Sequence, residues 1–169
     1  MKENKNVSID VVRKVGEALQ KGLFLTTSGE KDNSMIIGWG SVGIMWGQLV
    51  FMAPVRSSRF TYKQMKVGGD FTLSVPGEGM EQEFLICGSQ SGTDIDKFEL
   101  CGFIKQPGRV VGVPVIGGCP YHMECRILSQ AEMDDKFLAE EVAQRWYGDS
   151  PGQELHSLYF AKVLAAYEG

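Results

Sequence analysis

The stretch SMIIGWGSVGIMWGQLVFMAPVRSSRFTYK, residues 34–63, contains the clearest indication of the fold. The run from Asn33 to Val55 carries no charged residue and is long enough to raise the question of a membrane span. Four glycines and a proline interrupt it, together with serine and glutamine residues. Because a lipid-facing helix does not tolerate so many interruptions, we interpret the run as paired, buried strands joined by a turn.

Short apolar runs on both sides of this stretch predict further strands, each bounded by glycine, proline or polar turn residues. The predicted strands cover residues 23–27, 34–39, 49–55, 71–75, 109–116, 121–130 and 155–167, with a break at residues 40–43 and a loop at residues 148–152. The predicted helices cover residues 9–20, 59–66, 81–89 and 134–146, the last of them packed over the barrel. Strands that cluster with few crossover helices predict a mainly β fold, an antiparallel barrel decorated with a few helices.

Length and composition predict an ordinary globular protein. The 169 residues are 43% hydrophobic and 22% charged, and we expect one domain over residues 1–169. A net charge of −4 argues against a nucleic-acid partner. The polar start, residues 1–6, lacks an apolar signal region, so we expect no membrane partner and a cytoplasmic location with reduced thiols.

A basic segment follows the predicted strand that ends at Val55. Four bases and no acid occur between Arg56 and Lys66, and Ser58 and Thr61 add hydroxyl groups. Guanidinium groups, hydroxyls and the free N–H groups at a helix start are the donors that a phosphate monoester prefers. The segment therefore predicts an anion site, and a solvated basic helix face is the alternative.

Two further segments are compatible with a ligand. Residues 33–41 place small residues beside Trp39, so that a flat ring can lie against the backbone; a buried strand with a core tryptophan is the alternative. Residues 87–98 form a polar, glycine-marked loop of the kind that often closes over ligands, although a plain surface connection has the same composition.

Histidine and cysteine patterns favour structural roles. His122 and His156 lie on predicted strands, and the sequence gathers too few other ligands around them for a metal site. Cys87 is compatible with a redox thiol or with a small buried side chain, and the second is the more common use of a free cysteine.

Taken together, these segments resemble the flavin reductase-like family, including the flavoredoxins. The resemblance is carried by residues 34–63 and by three later blocks in matching order: FTLSVP at 71–76, CGSQSGTDIDKF at 87–98 and HSLYFAKVLAAY at 156–167. It departs at Thr93, where the family usually has arginine.

The resemblance implies a split β-barrel homodimer that binds flavin mononucleotide (FMN) near the subunit interface. It implies that Val55, Arg56, Ser58, Arg59, Thr61 and Tyr62 hold the phosphate and ribityl end, that Met35, Ile36, Ile37, Gly38 and Trp39 lie along the ring, and that Cys87, Gly88, Ser91, Gly92 and Lys97 form a nearby loop. His156 matches a family position that can border the flavin.

The implied function is an oxidoreductase that moves electrons from NAD(P)H or a reduced protein through FMN to an acceptor. The alternative is a flavoredoxin-type electron-transfer or flavin-holding protein without NAD(P)H activity of its own. In either case the flavin supplies the redox chemistry, so the sequence identifies no catalytic residue.

Overall fold

The computed structural model describes residues 6–148 and 154–169. The helices are α1 (Ile9–Ala18), α2 (Phe60–Gln64), α3 (Glu81–Ser89), α4 (Lys97–Leu100) and α5 (Glu140–Trp146). The strands are β1 (Leu23–Thr27), β2 (Asn33–Ile37), β3 (Ser41–Met45), β4 (Gln48–Arg56), β5 (Asp70–Ser74), β6 (Lys105–Gln106), β7 (Val115–Ile116), β8 (Tyr121–Glu132) and β9 (His156–Glu168). Within the described ranges no helix is long and apolar enough to cross a membrane.

Seven strands form one antiparallel sheet in the order β2-β1-β5-β8-β9-β4-β3. Although β2 and β3 lie at opposite edges, only residues 38–40 connect them. Four Cα steps span at most about 15 Å, whereas the edges of a flat seven-stranded sheet are about 29 Å apart. The sheet must therefore curl until its edges approach each other. We call the line between β2 and β3, which no strand pairing closes, the seam.

Alternate side chains of the strands face two different apolar clusters. On β1, Leu23 and Leu25 pack into the main core inside the curled sheet, together with Phe51 and Phe71. Phe24 points outward into a second cluster beneath α3 and α4. All five residues of β1 are therefore buried, as expected for a strand covered on both faces.

The break predicted at residues 40–43 is wrong for residues 41–43, which begin β3; the chain leaves the sheet earlier, at residues 38–40. Gly43 pairs with Val50 in a hairpin whose two-residue turn is Trp46-Gly47. Both turn residues have positive φ, 52° and 68°, which gives the tight turn that matches strand twist. Since β3 is a largely exposed edge strand, Gly43 loses little packing there.

The predicted strand at residues 109–116 is also wrong over most of its length. Only Val115–Ile116 pairs, with Lys105–Gln106. The backbone N–H groups of residues 109–111 instead donate to the buried Glu124 carboxylate at 2.6–2.8 Å. A carboxylate on β8 thus replaces the strand partner that these N–H groups lack.

The helix predicted over residues 134–146 is two separate pieces. A 3₁₀ turn covers Asp135–Phe137, Leu138 and Ala139 are extended, and α5 follows. Phe137 is 80% exposed and α5 contains no buried residue, so the segment does not cover the barrel core as predicted. Most of the loop predicted at residues 148–152 lies outside the described residues, as do residues 1–5.

Candidate functional site

Two neighbouring cavities open beside the seam. The polar cavity, of about 170 Å³, is lined by Asn33, Met35, Ile36, Ser58, Arg59, Phe60, Thr61, Cys87, Gly88, Ser89, Gln90, Ser91, Gly92 and Lys97. The seam cavity, of about 320 Å³, is lined by Met35, Ile36, Ile37, Gly38, Trp39, Pro54, Arg56, Arg59 and His156. Three residues line both cavities: Met35, Ile36 and Arg59. Together the cavities form one elongated site.

The polar cavity contains a buried ammonium group. Lys97, at the first position of α4, is only 3% exposed and donates from Nζ to the carbonyl oxygen of Cys87 at 3.0 Å. Across the part of the chain that the structure describes, no carboxylate forms an ion pair with it. Burial, with a further contribution from Arg59, lowers the pKa of Lys97. Because a buried charge without a counter-ion is costly, an anionic ligand is its natural partner.

A buried acceptor faces the same cavity. Asn33 donates from Nδ2 to Thr61 Oγ1 at 2.9 Å, while its Oδ1 has no hydrogen-bond partner. A Cβ atom at Gly92 would collide with this oxygen, so only glycine lets the loop backbone approach so closely. A buried acceptor without a donor is unusual in a folded protein, and here it shows how tightly the loop at Gly92 closes against the start of β2.

The basic segment contributes less through its helix than the sequence predicts. Helix α2 has only five residues, and Arg59 at its start makes no capping hydrogen bond through its side chain. A carboxylate from a distant part of the chain also contacts this segment. Glu154 hydrogen-bonds to Ser57 and Ser58 and feels the charge of Arg56, and these contacts lower its pKa.

The seam cavity is aromatic. Trp39 is 38% exposed, and its ring lies 4.9 Å from that of Trp146 and 5.1 Å from that of His156, measured between centroids. Arg56 lies in this cavity and not in the polar one; its Nη2 donates to the Trp146 carbonyl at 3.2 Å. The guanidinium also lies 5.5 Å from the centroid of the Tyr147 ring.

His156 is held at the start of β9. Its Nδ1 lies 2.8 Å from the hydroxyl of Tyr147, and the side chain is 8% exposed. Burial, helped by the positive charges of Arg56 and Arg59, lowers the pKa of His156 to about 4. The imidazole is therefore neutral at pH 7.

The structure brings most of the predicted site residues together. Fourteen of the sixteen line one cavity or both, whereas Val55 and Tyr62 line neither. Val55 is fully buried in the core and Tyr62 packs against it, next to Tyr159. Neither side chain is placed to contact a ligand in the two cavities.

Several lining residues were not predicted. Ser89 and Gln90 lie inside the quoted loop, and Asn33 begins the quoted strand, so the motifs already contained their signal. Pro54 precedes Val55 on β4, and strand alternation alone predicts that the two side chains face opposite sides.

The structure favours the packing role for Cys87. Its thiol is 2% exposed, and burial, with Cys101 next to it, raises its pKa to about 12. Burial also raises the pKa of Cys101. Since the thiolate is the reactive form, both thiols are poor nucleophiles at neutral pH.

Comparison of the chain with known proteins identifies its family. Residues 17–169 match the family described as flavin reductase like domain, and the chain belongs to this family. An uncharacterised protein of Archaeoglobus fulgidus is 28% identical over 75% of this chain and 72% of its own length.

Solved structures share the fold. The flavoredoxin of Desulfovibrio vulgaris (Miyazaki F) superposes with a TM-score of 0.68 at 19% identity, covering 88% of this chain and 69% of its own. The NADH:FAD oxidoreductase SgcE6 of Streptomyces globisporus gives 0.65 at 17% identity, over 88% and 75%. An FMN-binding protein of Thermus thermophilus, with bound p-hydroxybenzaldehyde, gives 0.64 at 20% identity, over 87% and 70%. The split-barrel fold expected from the sequence is confirmed.

Proposed function

We propose that this protein is an FMN-dependent oxidoreductase whose flavin lies in the two joined cavities, with the phosphate in the polar cavity and the ring in the seam cavity. The observation that carries the proposal is the buried, unpaired ammonium of Lys97 in a polar pocket that continues past Arg59 into an aromatic one. Few ligands combine a terminal anion, a polyhydroxyl chain and a flat ring in that order, and FMN does.

The side chains of the polar cavity match the phosphate and ribityl end. Lys97 and Arg59 supply positive charge, and Ser58 and Thr61 supply hydroxyl groups. Charge-assisted hydrogen bonds of this kind are the strong ones in phosphate recognition.

The residues of the seam cavity match the ring end. Met35, Ile36 and Trp39 offer apolar and aromatic surface against which a flat ring can lie. We place Arg56 here, although the sequence led us to expect it at the phosphate. Its positive charge favours electron density arriving on the nearby ring.

When bound, the flavin supplies the electron-transfer chemistry. The role of this chain is to orient the flavin, to exclude water and to hold positive charge beside the ring. We propose NAD(P)H or a reduced protein as the electron donor. The similar NADH:FAD oxidoreductase supports a nicotinamide donor, and the similar flavoredoxin supports the alternative of electron transfer without NAD(P)H activity.

We further propose that the protein is a homodimer and that it works in the cytoplasm. In support of a dimer, the β3 edge exposes a row of apolar side chains, with Ile44 65% exposed and Trp46 54% exposed. Apolar surface of this kind at a sheet edge is typical of an interface.

The test is a visible absorption spectrum of the purified protein after separate incubation with FMN, FAD and riboflavin and removal of free flavin. We expect FMN to be retained best. NADH or NADPH is then added without oxygen: rapid bleaching of the flavin band identifies a reductase and its donor. A bound flavin that stays oxidised supports the electron-transfer alternative, and no retained flavin refutes the proposal.

A further inference from the structure

We propose that Tyr147 is a positioning residue of the seam cavity: its hydroxyl fixes the tautomer of His156, so that the imidazole offers an N–H donor and not a lone pair to a ligand there. This inference rests on the proposed function only for the identity of that ligand. The contact between Tyr147 and His156 is a property of the protein alone.

The end of α5 makes four separate contacts with the walls of the seam cavity. The Trp146 ring meets Trp39, and its carbonyl accepts from Arg56. Tyr147, the next residue, contacts His156 through its hydroxyl and Arg56 through its ring. Two consecutive residues thus touch three residues of the cavity wall.

The rest of the helix does not explain why the chain holds this position. Helix α5 contains no buried residue, whereas Tyr147, at its C-cap, is only 6% exposed. The anchoring of the segment is therefore concentrated at the residue that contacts His156. A segment that only covered the barrel would instead bury an apolar face.

The hydrogen-bond chemistry selects one tautomer. The Tyr147 hydroxyl has two acceptors within reach, His156 Nδ1 at 2.8 Å and the thioether of Met133 at 3.6 Å. An imidazole nitrogen is the stronger acceptor, because a thioether sulfur accepts only weakly. The hydroxyl therefore donates to Nδ1, and the proton of the neutral ring sits on Nε2.

The charged groups around His156 support the neutral ring. Arg56 on β4 and Arg59 before α2 both lower its pKa, in addition to burial. Glu154, two residues before His156, is engaged by Ser57 and Ser58. Tyr147 keeps its proton at neutral pH because burial raises its pKa. Between a neutral imidazole and a protonated phenol either group can donate, so the direction is set by the acceptors open to the Tyr147 hydroxyl, of which Met133 is the weaker.

The experiment uses the full chain labelled with ¹⁵N-histidine, observed by long-range ¹H–¹⁵N correlation over a pH titration. The sequence has only two histidines, and His122, whose Nδ1 contacts Ser74 Oγ at 3.0 Å, serves as the internal reference. We expect His156 to carry its proton on Nε2 at pH 7. In Tyr147→Phe we expect a mixture of the two tautomers.

The mixture is expected because the lost hydrogen bond is the contact that selects between the two tautomers of the neutral ring. Tyr121→Phe is the matched control and should leave His156 unchanged. A proton on Nδ1 in the unsubstituted protein overturns the inference without any variant. An unchanged tautomer in a folded Tyr147→Phe protein overturns it as well.

Titration with FMN separates this inference from the proposed function. We expect bound FMN to shift the Nε2 signal of His156 and to leave that of His122 in place. Bound FMN that leaves His156 unmoved overturns the claim that its donor faces the ligand. If FMN does not bind at all, the proposed function fails, and the spectra of the protein alone still decide the role of Tyr147.

Discussion

Replacing Lys97 with methionine should separate ligand binding from stability more cleanly than any other single change. Methionine keeps an unbranched stem of similar length and removes the buried ammonium. Because Lys97 has no carboxylate partner among the described residues, its charge is available to a ligand phosphate. We therefore expect Lys97→Met to weaken FMN binding without unfolding the protein.

The size of the expected loss in FMN affinity follows from the one strong contact that Lys97→Met removes. A hydrogen bond to a charged group contributes about 1.5–3 kcal/mol. That range corresponds to roughly a 10- to 150-fold rise in the Kd for FMN. Riboflavin has no phosphate, so its Kd should change much less, by under about threefold.

The effect on stability should be small or favourable. The variant loses the hydrogen bond from Nζ to the Cys87 carbonyl, which costs about 1–3 kcal/mol. It also loses the penalty for burying an unpaired ammonium, which is several kcal/mol. The two changes oppose each other, so we expect no large fall in the free energy of unfolding.

The pH dependence of the free energy of unfolding gives a second test of the buried Lys97 ammonium. Burial lowers the pKa of Lys97 in the folded protein below its ordinary value of 10.5. The unfolded chain therefore holds this proton more tightly, and the folded state gains stability as the pH rises from the lowered pKa toward 10.5. Lys97→Met lacks this gain, so its advantage over the parent protein should shrink at alkaline pH.

The assay is FMN fluorescence titration, with urea unfolding of the protein without flavin at several pH values. The matched control is Lys66→Met, which removes an exposed lysine from the same basic segment. It should change the FMN Kd by less than about threefold, as expected for a screened surface charge. Unchanged FMN affinity in a folded Lys97→Met protein would refute the phosphate assignment.

Three further predictions concern the ligand, a thiol and the sheet edge. Riboflavin should bind the unsubstituted protein at least about 100-fold more weakly than FMN, because it loses charge-assisted contacts to both Lys97 and Arg59; equal affinities in the same titration would contradict the polar cavity. Cys87 should resist iodoacetamide at pH 8 in the folded protein, because a pKa of about 12 leaves about one thiolate in 10,000; mass spectrometry would show rapid labelling if the burial were wrong. Ile44→Glu should shift a dimer toward monomer in sedimentation, with Val67→Glu, an exposed apolar position outside β3, as the control; a protein that is monomeric before substitution would contradict the proposed interface.

The fold was predictable because its signals are local. Most strands carry alternating or continuous apolar residues between turn residues, and these signals do not depend on distant parts of the chain. The failures occurred where a distant group decides the structure. The strand predicted at residues 109–116 is largely absent because Glu124, on β8, takes its N–H groups. No pattern within residues 109–116 reveals that competitor.

The candidate site likewise contains residues that the local sequence predicts and residues that it does not. Most predicted residues of the three segments line the two cavities, because neighbours along a loop or strand tend to lie along the same cavity wall. Val55 was included although strand alternation turns its side chain into the core. Glu154, Trp146 and Tyr147 reach the site from a region whose sequence has no resemblance to a binding motif. Only the folded structure brings them to Arg56 and His156.

The position of Arg59 in the walls of both cavities has a thermodynamic consequence. Because one guanidinium lines both subsites, the occupancy of one subsite affects binding at the other, and this linkage is reciprocal. If inorganic phosphate changes the affinity for lumiflavin by some factor, lumiflavin changes the affinity for phosphate by the same factor. In FMN the ribityl chain tethers the two fragments, so the second contact forms at the effective concentration set by that tether. The affinity for FMN therefore contains both the tether and the coupling, whereas the factor by which phosphate changes the affinity for lumiflavin measures the coupling between the two ends of the site alone.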